Sequence, residues 1–242
     1  MLRVPLPVVL VPGLNCSARL YADQIPVLWR FGPVQVADHT RDDSMDAIAA
    51  RILAAAPPRF ALVGLSMGGY IAQCIIRHAP ERVAKLALLD TSARPETPEQ
   101  TARRKPQIAL AESGRFAEVP ALQFPVFVHR NRQHDEALRA RVRVMAEETG
   151  PQAFLRQQTA LISRPDARPL LPAIKCPTLV LVGDGDELTP PALAQELAAG
   201  IPGARLVTVP DCGHLSTMER PEAVNQALTN WMRTDGDGAG AG

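Results

Sequence analysis

Short apolar runs alternate with amphipathic stretches along most of the chain. Pro7 to Val11, Val34 to Ala37, Phe60 to Val63 and Val83 to Leu89 are short and punctuated, as buried strands are. Between them, Ala18 to Trp29, Ser44 to Ala55 and Met67 to His78 carry apolar residues at helical spacing. The pattern returns near the C-terminus, where Thr178 to Val182 precedes Pro190 to Ala199, and Arg205 to Val209 precedes Ser216 to Met232. Strands and helices in alternation predict βαβ units, hence an α/β fold on a parallel sheet.

The alternation is interrupted between Arg94 and Leu171. There, helical segments near Thr101 to Glu112, Asp135 to Glu148 and Gln152 to Ile162 follow one another without a repeat of apolar strands. Prolines 95, 98, 165, 169 and 172 mark its two junctions. The expected organisation is a core of residues 1–93 and 172–233 interrupted by a helical lid over 94–171. Residues 234–242, mostly Gly, Ala and Asp, are too poor in apolar side chains to offset their ordering entropy and read as a disordered tail. No internal repeat is present.

Composition narrows the function classes. With 46% apolar residues in 242, the chain can bury a large core, and one domain with an insertion is expected. A formal charge of +1 supplies no global field for nucleic acid or an anionic membrane surface. No apolar run approaches the ~20 residues of a bilayer span, and the first residues lead into a strand without a signal-peptide pattern. The expectation is a soluble cytoplasmic protein. Cys16, Cys74, Cys176 and Cys212 are scattered and read as free thiols, with no metal-ligand spacing. A redox link between Cys16 and Cys212, whose loops are expected to converge, is the one alternative to that reading.

The chemistry begins at Gly64-Leu65-Ser66-Met67-Gly68, where a strand gives way to a helix. A serine on such a sharp turn projects above the sheet, and the glycines on either side permit close chain approach. Ser66 is therefore the candidate nucleophile. A serine hydroxyl needs a general base and a group to orient that base. Of five histidines, His78 lies on the helix after the turn, His39 follows an early strand, and His129 and His134 fall in the insertion. His214 follows the last predicted strand, at the sheet edge that also carries Ser66, and is the candidate base. Acids in Gly183-Asp184-Gly185-Asp186 lie just past another strand, where parallel sheets build their sites. Asp184 is read as a turn residue, and the chain order Ser66, Asp186, His214 is that of a triad built on this elbow. Backbone donors for a developing oxyanion are expected from Met67, at the positive end of its helix, and from Leu14 in the loop after the first strand.

These motifs together make the chain resemble the α/β-hydrolase superfamily over nearly its whole length. In such families the acid ends a Gly-x-x-Asp pattern, which falls on Asp186 here, and a lid enters after the strand ending Leu89-Asp90. The resemblance implies a mostly parallel sheet of about six strands, because the chain begins at the strand that usually comes third and the first two edge strands are missing. Many relatives carry His-Gly at the oxyanion loop, whereas this chain has Pro12-Gly13. In layout and lid length it is most similar to small lidded hydrolases of the pimeloyl acyl-carrier methyl ester esterase type.

The expected activity is hydrolysis of a carboxylic ester or thioester through an acyl-enzyme, with no metal or organic cofactor. A serine at the elbow disfavours the aspartate-nucleophile chemistries of dehalogenases and epoxide hydrolases. Carbon-carbon bond hydrolysis, lactone or peptide hydrolysis and cofactor-free perhydrolysis reuse the same triad, so they stay open, as does a non-catalytic ligand receptor or interaction module. The expected partner is a small-molecule acyl ester. Between Arg94 and Arg168 thirteen Arg and Lys face nine Asp and Glu. Such an excess suits either a solvated helical face of paired charges or the recruitment of an acidic carrier protein or of a carboxylated or phosphorylated substrate. Phe116, Phe124, Phe127 and Phe154 are candidates for an acyl pocket or for the lid's own core.

Overall fold

A computed structural model of the protein describes residues 5–234. Strands β1 (Val8–Val11), β2 (Val34–Val36), β3 (Phe60–Leu65), β4 (Val83–Leu89), β5 (Thr178–Gly183) and β6 (Arg205–Val209) form one sheet, all parallel, in the order β2-β1-β3-β4-β5-β6. Six parallel strands are what the apolar runs predict. The helices are α1 (Ile25–Leu28), α2 (Met45–Ala55), α3 (Met67–His78), α4 (Pro98–Glu112), α5 (Val119–Phe127), α6 (Glu136–Thr149), α7 (Pro151–Ile162), α8 (Pro191–Gly200), α9 (Ser216–Glu219) and α10 (Pro221–Arg233).

Successive side chains on a strand point to opposite faces, so a continuous apolar run feeds two cores. Leu10, Ala61, Val63, Leu65, Leu89 and Leu181 pack on the face that carries α10 and the inner sides of α5 and α6. Val9, Val11, Leu62, Leu88, Val180 and Val182 pack on the other face, against α2, α3, α8 and part of α7. Each such buried Val, Leu or Ile contributes about 1.5–3 kcal/mol by leaving water.

Two expected helices break into pieces at prolines. Ala18 to Trp29 becomes a 3-10 turn over Ala18–Tyr21, capped by Ser17, and then α1, whose first turn holds Pro26. Ser216 to Met232 divides at Arg220, ahead of Pro221, because the residue before proline is driven out of helical backbone. In the insertion, α4, α6 and α7 fall where helices are expected, while α5 is an additional helix that amphipathic spacing does not reveal. The tail expected from residue 234 onward lies, apart from Thr234, outside the described residues.

The connections place the site. From β1 the chain moves outward to β2, then crosses back over β1 to β3 and continues in the other direction to β4. The loops leaving β1 and β3 therefore part at the carboxyl edge, and the crevice between them is where a doubly wound sheet receives ligands.

Candidate active site

Ser66 fills the single position between β3 and α3 with φ 56° and ψ −115°. Such backbone costs of order 1–3 kcal/mol and persists only where its surroundings enforce it. Here the Ser66 N–H donates to Leu89 O at 2.9 Å, and the Ser66 carbonyl accepts from Thr91 Oγ1 at 2.9 Å and from Gly69 N at 2.9 Å. The glycines of the motif are sterically required. A Cβ on Gly64 would run into the carbonyl oxygen of Gly68, and one on Gly68 into that of Val11.

The loop after β6 delivers His214 to this turn. Its Nε2 lies 2.8 Å from Ser66 Oγ, and its Nδ1 lies 2.8 Å from Asp186 Oδ2. An ionised carboxylate only accepts, so Nδ1 carries the proton and Nε2 is left to accept from the serine hydroxyl. Asp186 is buried and held by Leu188 N at 2.8 Å, Thr189 N at 2.9 Å and Thr189 Oγ1 at 2.7 Å. Burial alone pushes the Asp186 carboxyl up and the His214 imidazole down. Their mutual charge and hydrogen bond outweigh it, holding the acid below its ordinary value and the imidazole above. Asp184 does the turn work, its Oδ1 accepting from Cys212 N at 3.1 Å and so tying the two loops together.

The loop after β1 lies against the elbow: a Cβ on Gly13 would sit 3.5 Å from Ser66 Cβ. The Gly13 carbonyl accepts from His39 Nε2 at 2.9 Å and from Cys16 N at 3.2 Å. In a planar trans peptide the next N–H points the opposite way, so fixing that carbonyl fixes the direction of Leu14 N–H. His39 is buried, and burial holds its pKa below the ordinary imidazole value, so it is a neutral ring with its proton on Nε2. Asn15, in left-handed backbone at φ 59°, is tied by its N–H to Gln157 Oε1 at 2.9 Å and by Nδ2 to Gln123 Oε1 at 3.0 Å. Met67 N–H is the first amide of α3, a position with no intrahelical acceptor.

Sequence reasoning passed over several residues that brace this arrangement. Thr189 and His39 are two. Asp90, at the end of β4, accepts from Gly183 N at 3.0 Å and is hydrogen-bonded to Ser216 Oγ. Burial first, and the charge of Asp186 second, push it well above the usual carboxylate range. Glu219 accepts from Gly213 N at 3.0 Å, Leu215 N at 3.2 Å and His129 N at 2.8 Å, while Phe127 O accepts from the amides of both His214 and Leu215. The histidine loop is thereby stitched to the end of α5. Glycine-rich loops around an acid are the only sequence signal for these contacts, and that signal names no partner.

A cavity of about 120 Å³ opens over Ser66. Its floor is Gly13, Leu14, Leu65 and His214, and its roof includes Gln100, Arg103, Arg104, Gln107, Gln123 and Val126 from α4 and α5. Of the four phenylalanines of the insertion only Phe127 lines it, 6.0 Å from the His214 ring; Phe116 stacks on Phe154 at 5.4 Å, and Phe124 is buried in the core. The four cysteines are free, so the Cys16–Cys212 link is not formed; Cys16 and Cys212 are buried in separate loops, Cys16 donating to Leu14 O and Cys212 to Gly213 O. Burial drives the Cys16 thiol up to about 12, far from a reactive thiolate. Among the described residues there is no cluster of potential metal ligands and no helix long and apolar enough to cross a membrane.

Residues 8–227 match the model of the alpha/beta hydrolase family. The chain belongs to that family. It is 31% identical over 195 residues to the pimeloyl-[acyl-carrier protein] methyl ester esterase of Aromatoleum aromaticum, covering 75% of this chain and 77% of the relative. It is 32% identical over 186 residues to a protein of Mycobacterium tuberculosis provisionally named as the non-heme bromoperoxidase BpoC, covering 73% of this chain and 68% of that one. Among solved structures, a thermophilic esterase from Thermogutta terrifontis, with malate bound, superposes with a TM-score of 0.85 at 31% identity, over 95% of this chain and 90% of the other.

Proposed function

We propose that this alpha/beta hydrolase is a serine esterase, cleaving a carboxylic ester or thioester through an acyl-enzyme. The observation that carries the reading is the unbroken relay from Ser66 Oγ to His214 Nε2 and from His214 Nδ1 to Asp186 Oδ2, each 2.8 Å, beneath a cavity. Ser66 attacks the acyl carbon while His214 takes its proton. Asp186 stabilises the imidazolium so formed and keeps the ring in the productive tautomer. The amides of Met67 and Leu14 receive the oxyanion, and a preorganised amide pair of this kind contributes about 10²–10³ in rate per donor. His214 then protonates the leaving group and, in the second half-reaction, activates the water that releases the acid. The four inserted helices serve as a lid over that chemistry.

Relatives named as esterases support the substrate class, and the acyl-carrier relative extends it to an ester presented on a carrier. A relative named as a bromoperoxidase favours perhydrolysis as the second reading, since peroxide in place of water at the acyl-enzyme needs the same triad. Labelling with a fluorophosphonate probe tests the main reading. Wild-type protein is expected to be labelled at Ser66 and to release p-nitrophenol from short esters. Unlabelled wild type, or Ser66→Ala retaining full turnover, would overturn it.

A further inference from the structure

The lid's excess of positive charge is not spread evenly. Many of its arginines have a carboxylate of their own close by, as Arg115 has Glu118, Arg132 has Asp135 and Arg143 has Glu147. These are the solvated pairs of an ordinary helical surface. The wall over the cavity is different. Arg104, which lines the cavity, shares the one carboxylate of Glu96 with Arg164, which does not line it; the side chains of Arg104, Arg164 and Glu96 are only 19%, 2% and 4% exposed respectively. Their other contacts are neutral: Gln158 Oε1 accepts from Arg104 Nη1 at 3.1 Å, and Gln100 Oε1 accepts from Arg164 Nη2 at 2.8 Å. Amide oxygens satisfy N–H donors but cancel no charge. One carboxylate for two guanidiniums withdrawn from water leaves a positive charge unmatched, a costly state unless a counter-charge arrives.

Arg103, next on the same helix, adds to it. It lines the cavity, is exposed, and has no hydrogen bond or ion pair among the described residues; its charge acts on the exposed Glu99 one turn back, a pair that solvent screens. No Asp or Glu among the described residues lines the cavity. Its charged rim is thus guanidinium alone, on the roof, facing an ester-cleaving serine on the floor.

We infer that the cavity takes substrates bearing a carboxylate as well as the ester, the carboxylate held by Arg103 and Arg104 while the acyl carbon lies at Ser66. This rests on the esterase reading above and names its substrate class: half-esters of dicarboxylic acids, or acyl esters of hydroxy acids. Guanidinium suits the task because its planar fork meets a carboxylate with two parallel hydrogen bonds. The same grip sets the orientation of a substrate that has no other polar handle.

The test compares each anion with its uncharged amide. On the full chain, kcat/KM is measured for monomethyl glutarate against methyl glutaramate, which puts the charge on the acyl side, and for acetoxyacetate against acetoxyacetamide, which puts it on the leaving group. Wild type is expected to favour the anion in one arm by about tenfold, the size of one charge-assisted hydrogen bond in a partly desolvated site. That ratio should fall toward one in Arg103→Gln and below one in Arg103→Glu, and shrink with added salt. Ratios near one in both arms of wild type, or ratios that both variants leave untouched, would overturn the inference. Should fluorophosphonate labelling fail, the esterase reading falls by itself, and thermal unfolding with glutarate then decides the subsite. A glutarate-dependent rise in Tm that Arg103→Gln abolishes supports it, and no rise in wild type overturns it.

Discussion

The floor and the roof of the cavity are built on opposite plans. On the floor, Ser66, Asp186, His214 and the Gly13–Asn15 turn are each held by several buried hydrogen bonds, most of them to backbone, and Ser66 is kept in strained backbone by its neighbours. On the roof, Gln107, Gln123 and Arg104 are held through the ends of long side chains, by one another, by Asn15 or by Glu96 and Gln158, and Arg103 is exposed. Rigid backbone anchoring suits groups that must meet a transition state within a fraction of an ångström. Side-chain contacts, which one substitution can change without moving backbone, suit the part that must accept one substrate and refuse another. On the proposed reaction, the difference makes reaction and selectivity separable, so substitutions on the two sides should leave different kinetic signatures.

The largest expected loss is on the floor. Ser66→Ala should lower kcat/KM on a p-nitrophenyl ester by about 10⁵ or more, as removal of a nucleophile does. Asp186→Asn should cost about 10⁴ in kcat through the wrong imidazole tautomer. The second variant also has a pH signature. With His214 as the general base, wild-type activity should need the neutral ring and fall as pH drops through its pKa, which Asp186 holds above the ordinary imidazole value of about 6.5. With that charge gone, burial is opposed only by the more distant charges of Asp90 and Glu219, and the acid limb of kcat/KM should move to lower pH. A limb that stayed in place would mean another group carries the titration.

A smaller floor effect separates positioning from chemistry. His39→Leu removes the donor that orients the Gly13–Leu14 peptide, so kcat should fall by about tenfold to 10² with KM nearly unchanged, less than the loss of a whole oxyanion donor. His39→Asn, which keeps a side-chain N–H, should recover much of it. Equal damage from both would show that the ring's bulk, rather than its hydrogen bond, matters. Because burial depresses the His39 pKa, the unfolded state binds its proton first. Its contribution to stability is therefore present at neutral pH and is lost as pH drops below about 6.5.

How much of this the sequence discloses follows the same divide. Ser66 is legible because Gly-x-Ser-x-Gly carries its own geometry, and His214 and Asp186 because each lies in the loop that follows a strand, at the edge where Ser66 emerges. The β-strands are legible because each is a short apolar run. Helix α5 is not, since Leu122 and Val126 leave it apolar on its exposed side as well, 52% and 38% exposed, and Pro120 and Pro125 argue against a helix. His39 looks like a loop residue until the β1 and β2 loops are folded together. The sharing of Glu96 between Arg104 and Arg164 joins residues 68 positions apart, so the lid's net charge can be counted from the sequence but its placement over the cavity cannot.

The contrast meets its hardest test where roof and floor touch. Gln123 donates to Gln107 Oε1 at 2.9 Å and accepts from Asn15 Nδ2 at 3.0 Å, so it is the joint between α4, α5 and the oxyanion loop. Gln123→Leu preserves most of the volume but leaves Asn15 Nδ2 unpaired in a buried place, where Asn15 Oδ1 already has no partner among the described residues. The expected result is a stability loss of about 1–3 kcal/mol, read as a lower Tm, with kcat on a neutral short ester changed by less than about threefold. The Gly13 carbonyl would still be held by His39 and Cys16, so the oxyanion amide should keep its direction. A fall in kcat matching that of His39→Leu would show that the roof positions the reacting groups too, and the separation of reaction from selectivity would fail at this residue.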